Sequence, residues 1–180
     1  MATWKSRGLR GSVLEDLINQ TNEIYKEKNL AIVQKVPTPI TPVKMNPNKN
    51  QITLAYFEQK STVDYIGAIQ GIPVCFDAKE CKTDRFPLQN IHPHQVDFME
   101  KYENQGGVSF FIIYYTHKNI MVYLPFDMFK FFWDRSINGG RKSFLYEELN
   151  PDFIINQNEG VFVPYLVPLK KDIEERDITH

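Results

Sequence analysis

Ser61-Thr62-Val63-Asp64-Tyr65-Ile66-Gly67-Ala68-Ile69-Gln70-Gly71-Ile72-Pro73-Val74-Cys75-Phe76-Asp77-Ala78-Lys79-Glu80-Cys81-Lys82 reads as a β-hairpin turning at Gln70-Gly71. Strand side chains alternate faces, so Asp77 and Lys79 project together while Phe76 and Ala78 point the other way into a core. If Thr62–Ile66 is the partner strand, Asp64 reaches the face of Asp77 and Lys79, and Thr62 adds a hydroxyl oxygen on that face. Two hard oxygen ligands beside an ammonium suit a divalent cation and phosphodiester hydrolysis. A cross-strand salt bridge on a half-exposed sheet explains the same residues, and both readings stay open on the tripeptide alone. A second acid-x-Lys pattern, Glu80-Cys81-Lys82, lies on the opposite face and reads as the strand running into solvent.

The hairpin sits within 180 residues of which 42% are apolar and 13% aromatic, a composition that argues for one folded domain and against wholesale disorder. The longest apolar run, residues 108–115, is far too short to span a bilayer. Met1-Ala2-Thr3-Trp4-Lys5 opens into polar sequence without an apolar core or cleavage signature, and the two cysteines, Cys75 and Cys81, are too widely spaced along one strand for an easy bridge; both point to the cytoplasm. The net charge of −1 is uneven: residues 1–60 hold nine Lys/Arg against five Asp/Glu. A local positive stripe of this kind can neutralise phosphates.

Ser12 caps a helix continuing to about Glu27, with Leu14, Leu17, Ile18, Thr21 and Tyr25 on one face. Leu30 to Val33 reads as a short strand. Three prolines at 37, 39 and 42 then forbid a helix or a central ladder, so residues 36–58 form an excursion out of the globule, carrying Lys44 and Lys49 and flanked by Lys35 and Lys60. Asn90 or His92 caps a second helix with Pro93 first, Val96, Met99 and Tyr102 inward, and Gly106-Gly107 at its end. Residues 108–115 and 120–124 read as strands, Phe126–Trp133 as a buried aromatic helix or a partner-facing patch, Gly139-Gly140-Arg141-Lys142 as a loop, and Lys170–His180 as a charged, frayed end. His92-Pro93-His94 lacks the second ligand pair a zinc site needs. Nucleotide-dependent and acyl-transfer chemistry have no P-loop or nucleophile elbow to rest on.

Ordered motifs extend beyond the hairpin: Arg10-Gly11, Leu14-Glu15, Thr21-Asn22-Glu23, Lys35-x-Pro37-Thr38-Pro39, Ser61-Thr62-x-Asp64-Tyr65-x-Gly67, Phe76-x-Ala78-Lys79-Glu80, Phe86-Pro87-Leu88-x-Asn90-x-His92-x-His94-Gln95, Gly106-Gly107 and Trp133. Over residues 10 to about 145 the chain resembles the RecU Holliday-junction resolvases of the PD-(D/E)XK nuclease superfamily. The resemblance implies an α/β fold, a restriction-endonuclease-like mixed central sheet flanked by helices, with residues 36–58 as a protruding stalk that enters a four-way DNA junction. It implies a homodimer, a recombinase partner and Mg²⁺, or Mn²⁺ in its place. Carried over by motif, Thr62, Asp64, Asp77 and Gln95 surround the metal, Lys79 stabilises the transition state, Glu15 is the helix carboxylate, and Arg10, Lys35, Lys44, Lys49 and Lys60 contact DNA. The sequence departs from the family at Asp77, which stands where a Glu is usual, at Cys81 in place of Thr, and in residues 83–85, one residue shorter. The expected activity is paired nicking of opposing strands. The alternatives are a non-catalytic junction-binding factor and a same-fold nuclease acting on linear or damaged DNA.

Overall fold

The computed structural model describes residues 12–38, 40–46, 49, 51–57, 62–157 and 160–178. Its elements in chain order are α1 (Val13–Glu27), β1 (Ala31–Lys35), β2 (Ile40–Asn46), β3 (Gln51–Phe57), β4 (Tyr65–Ile69), β5 (Ile72–Cys81), β6 (Arg85–Pro87), α2 (Pro93–Glu103), β7 (Val108–Tyr115), β8 (Ile120–Pro125), α3 (Phe126–Ile137), β9 (Ser143–Leu145), β10 (Ile154–Ile155) and α4 (Leu166–Ile178). Six strands form a mixed sheet in the order β1-β4-β5-β7-β8-β10. Only β5 and β7 run parallel, joined by the crossover through α2, and every other neighbouring pair is antiparallel. This is the expected mixed central sheet with helices on both faces.

Local chemistry sets the elements. Ser12 Oγ accepts a hydrogen bond from Glu15 N at 3.1 Å, capping α1, whose buried stripe is Leu14, Ile18, Thr21, Asn22 and Tyr25. At the β4–β5 turn Gln70 (φ 49°) and Gly71 (φ 89°) are both left-handed, the two-residue geometry that matches strand twist. The partner strand begins at Tyr65 rather than Thr62, which leaves Thr62, Val63 and Asp64 as the approach to the ladder.

The sheet has two cores, one per face. Phe76 and Ala78 pack with Leu14, Ile18, Tyr165 and Leu169 beneath α1 and α4, while Cys75 and Cys81 pack with Phe111, Ile113, Val96, Met99 and Phe129 beneath α2 and α3. The face of Asp77 is therefore not the open surface that strand alternation suggested: α2 and the aromatic α3 cover it. Phe126, Phe129 and Phe132 of α3 are buried and Phe131 is exposed, so core packing is the main role of that helix.

Two further expectations change. The charged C-terminal segment is not frayed through residue 178 but forms α4, docked by a buried polar network in which Tyr123 OH donates to Asp172 Oδ2 (2.6 Å) and Arg176 bridges Asp172 (2.8 Å) and Glu103 (2.5 Å). Glu80 is exposed where β5 runs out, as expected, but its Oε1 also accepts from Leu14 N at 3.2 Å and ties the start of α1 to the end of β5.

Residues 40–46 and 51–57 form a separate two-stranded antiparallel ribbon, β2 with β3, whose register shifts on both sides of Lys44. Pro42 pairs opposite Ala55, a place open to it because both strands of a two-stranded ribbon are edges.

Candidate active site

Asp64 lies one residue before the β4–β5 ladder, whose last pair on that side is Tyr65 with Phe76, so it stands opposite Asp77. Val63 is fully buried in one core and Tyr65 in the other, and the approach to the ladder is pinned on both sides of Asp64. The two carboxylates brace each other's strand. Asp64 N donates to Asp77 Oδ1 at 3.1 Å, and Ala78 N donates to Asp64 Oδ2 at 3.0 Å. Lys79 Nζ donates to Asp77 Oδ2 and lies 3.8 Å from Asp64 Oδ2. Asp77 is fully buried, whereas the Asp64 and Lys79 side chains keep 25% and 21% of their exposure, so the cluster opens on the Asp64–Lys79 side.

Burial pushes the Asp77 carboxyl up to about 7; Lys79 opposes the shift and the neighbouring Asp64 adds to it. A buried carboxylate with a second carboxylate alongside is a site where added positive charge is strongly favoured.

Support comes from both flanks. The Tyr65 ring stacks on Phe76 at 4.7 Å and Phe76 on Phe110 at 4.6 Å, a row running across the sheet beneath the acid-bearing strands. Tyr65 OH donates to Asn19 Oδ1 at 3.1 Å, with the Glu15 carbonyl at 3.3 Å as a second acceptor, and this fastens α1 to β4. The Glu15 carboxylate pairs with Lys35 Nζ at 2.5 Å. Val36 N donates to Asp64 O at 2.8 Å, so the segment leading into the β2–β3 ribbon is hydrogen-bonded to the site itself.

Of the residues singled out in the sequence, Asp64, Asp77 and Lys79 converge in one cluster, whereas Glu15 meets Tyr65 OH only through its backbone carbonyl and gives its carboxylate to Lys35. Thr62 is partly exposed, two residues before Asp64. Gln95 is buried at the first turn of α2, where its Oε1 accepts from His92 N at 3.0 Å and caps the helix. Lys44 and Lys49 are exposed on the ribbon, and Arg10 and Lys60 lie outside the described residues. Glu80 and Tyr65 were not read as supports. The signal for Glu80 is a carboxylate ending an otherwise apolar strand face; the one for Tyr65 is an aromatic next to a site acid, whose partner only the fold reveals.

The donor set fits a hard divalent cation. Each carboxylate has one oxygen fixed by a backbone N–H, which leaves Asp77 Oδ2, now held by Lys79, and Asp64 Oδ1, which has no hydrogen-bond partner among the described residues. Among the described residues no cluster of three or more His, Cys, Asp or Glu exists, so further ligands to such an ion would be neutral oxygens.

A family model described as Recombination protein U (RecU) matches residues 9–171. The chain belongs to the RecU family. A Holliday junction resolvase RecU of Limosilactobacillus reuteri (strain DSM 20016) is 38% identical over 169 residues, covering 91% of this chain and 83% of the relative. One from Levilactobacillus brevis is 42% identical over 165 residues, covering 88% of this chain and 82% of the relative. One from Oceanobacillus iheyensis is 42% identical over 154 residues, covering 83% and 76%. Among solved structures, Hjc of Archaeoglobus fulgidus, a Holliday junction resolvase from an archaeal hyperthermophile, aligns at 10% identity with a TM-score of 0.37, covering 63% of this chain and 75% of that one. The RecU match runs past the motif-bearing stretch into α4, so the C-terminal region is part of the family's shared sequence. No helix among the described residues is long and apolar enough to cross a membrane.

Proposed function

We propose that the chain is a Mg²⁺-dependent endonuclease that nicks opposing strands of four-way DNA junctions in recombination and repair. The observation that carries the reading is the Asp64–Asp77–Lys79 cluster, braced across one hairpin of a RecU-family chain. Asp64 and Asp77 would hold the ion through the oxygens that backbone N–H groups leave uncommitted, with Thr62 and Gln95 as neutral oxygen donors. Mg²⁺, for which Mn²⁺ can substitute, supplies Lewis acidity at the scissile phosphate and a water activated for in-line attack. Lys79 contributes fixed positive charge as the phosphate gains negative charge, in a pocket whose burial strengthens that interaction. Its ammonium already lies against the Asp77 carboxylate and 3.8 Å from that of Asp64. Glu15, paired with Lys35, would be the fourth charged group of the site.

The whole chain acts as one nuclease domain, with residues 36–58 as a stalk seated in the junction and Arg10, Lys35, Lys44, Lys49 and Lys60 contacting phosphates. The chain works as a homodimer, an assembly supported by the exposed apolar side chains of the ribbon, Met45, Ile52, Leu54 and Tyr56 at 47–58% exposure, since a lone two-stranded ribbon is marginal in water. A two-fold axis supplies two sites and hence paired nicks. The DNA substrate places the enzyme in the cytoplasm, where the strand-exchange recombinase is a further partner.

The test uses a labelled mobile four-way junction and a linear duplex of the same sequence, each with and without Mg²⁺. Paired symmetric nicks in the junction alone, and only with the metal, are expected. Equal cutting of the linear duplex favours a linear-DNA nuclease, and junction binding without cutting favours a non-catalytic binder; either result overturns the proposal.

A further inference from the structure

Exposed cations that no acid neutralises are few. Among the described residues, six Lys or Arg side chains form no ion pair: Lys28, Lys44, Lys49, Lys82, Arg85 and Lys142, all of them exposed. Two belong to the β2–β3 ribbon. Three, Lys82, Arg85 and Lys142, flank the β6–β9 ribbon, although 60 positions separate the first of them from the last in sequence. That convergence is made by the β6–β9 ribbon: Arg85 pairs opposite Leu145 and Pro87 opposite Ser143, and Leu88 N donates to Lys142 O at 3.1 Å.

The ribbon is anchored inward by Phe86 and Phe144, both fully buried and stacked at 5.0 Å. Arg85, the neighbour of Phe86 on β6, therefore points outward, and Lys142, just before β9, is exposed. Arg85 Nη1 donates to Ser143 Oγ at 3.1 Å, holding the guanidinium beside Lys142. The nearby acids are mostly committed: Asp84 to Lys118 and His117 at 2.9 Å each, and Glu148 to Arg135 at 2.7 Å and Arg141 at 3.7 Å. Of the acids beside these cations, Glu147 and Glu80 form no ion pair among the described residues, against three uncompensated cations.

Position gives this patch its meaning. Lys82 stands one residue past β5, in the bend leading to β6, where strand alternation no longer sets its direction, and its Cα lies at most about 10 Å from that of Lys79. Along a duplex that distance corresponds to about three base pairs.

We infer that the β6–β9 ribbon is a second phosphate-contacting surface, which holds the duplex arm beside the scissile position through Lys82, Arg85 and Lys142. The inference rests on the nuclease reading and extends it from the junction's centre to its arms. The contacts are to backbone and independent of base sequence, so the surface fixes where along the arm the nick falls without choosing the bases.

The test is the salt dependence of binding in Ca²⁺, measured for a four-way junction and for a linear duplex arm. The proteins are the wild type, the triple variant Lys82→Gln/Arg85→Gln/Lys142→Gln, and Lys44→Gln/Lys49→Gln. The ribbon triple variant is expected to bind both DNAs about tenfold more weakly and to lower the log–log salt slope by about 3, near one per lost phosphate contact. The stalk pair should weaken the junction and spare the linear arm. Because all three ribbon cations are exposed, thermal unfolding should be unchanged, and this separates a binding loss from misfolding. A triple variant with wild-type slope and affinity overturns this inference and leaves the nuclease reading standing. Failure of the wild type to bind either DNA overturns both.

Discussion

Two antiparallel hairpins follow one another in the chain, and they differ in nearly everything except strand pairing. The β4–β5 hairpin is buried on both faces, turns through two left-handed residues, and fixes a carboxylate on each strand through the other strand's backbone. The β2–β3 ribbon exposes Ile40, Val43, Met45, Ile52, Leu54 and Tyr56, and its strands pair only with each other. Burial allows the first to hold charged groups at fixed separations, where their electrostatics are strong. Exposure leaves the second with apolar surface open to a partner. The two are linked by Val36 N on Asp64 O and by the Lys35–Glu15 pair, so the base of the outer ribbon is fastened to the site in the inner hairpin.

The largest expected effect falls on the inner hairpin. Asp77→Asn and Lys79→Ala should each reduce junction nicking by at least about 10³-fold while junction binding persists, measured by single-turnover cleavage and gel shift. Asp77→Asn keeps an acceptor for Asp64 N, so lost activity reports lost charge. The same variant has an opposite signature in stability. In the wild type the folded state retains the Asp77 proton to about pH 7, whereas the unfolded chain releases it near the ordinary carboxylate value of 3.8. Metal-free wild-type stability therefore falls as pH rises from about 4 to about 7 through this group, and Asp77→Asn should escape that loss. Melting curves of both proteins across the window check it; parallel curves would show that burial does not set the charge of Asp77.

Next in size is Gly67 on β4. A Cβ there would lie 2.2 Å from Ile32 O and 2.6 Å from Val33 Cα. Gly67→Ala must push β1 away, with an expected loss of about 2–3 kcal/mol in urea unfolding and a drop in cleavage. In the outer ribbon the same kind of perturbation should leave stability nearly untouched. Ile52→Ser/Leu54→Ser/Tyr56→Ser is expected to weaken self-association about tenfold or more by sedimentation while each change alters monomer stability by no more than about 0.5 kcal/mol. A folded monomer destabilised as much as by Gly67→Ala would erase the distinction between the hairpins. The smallest effect is Tyr65→Phe, which removes the hydrogen bond to Asn19 and should cost about 1 kcal/mol with little change in cleavage.

The inner hairpin was legible because a two-residue alternation and a Gly at the turn are local signals, and because Asp64, Asp77 and Lys79 sit at spacings the ladder preserves. What covers it was not. Cys75, Asp77, Lys79 and Cys81 look like a half-polar face in isolation, and the residues that bury it, Val96, Met99, Phe111 and Phe129, lie between about 20 and 50 positions away. The C-terminal helix was misread for a related reason. Its charges look solvated until Arg176 meets Glu103, a contact 73 positions apart, and Asp172 meets Tyr123. The outer ribbon's prolines announced an extended chain, but its register shift hides the pairing of β2 with β3. The three-residue strands β6 and β9 carry too little periodicity to be seen at all.

Residues 64 and 77 are proposed to form one cation site beside Lys79. A crystal of the wild-type protein grown with Mn²⁺, in conditions where the enzyme cuts junctions, should give an anomalous peak about 2.2 Å from a carboxylate oxygen of each aspartate, with Lys79 Nζ released from Asp77 Oδ2. An active protein whose Mn²⁺ lies elsewhere, with the Lys79–Asp77 hydrogen bond intact, would contradict it.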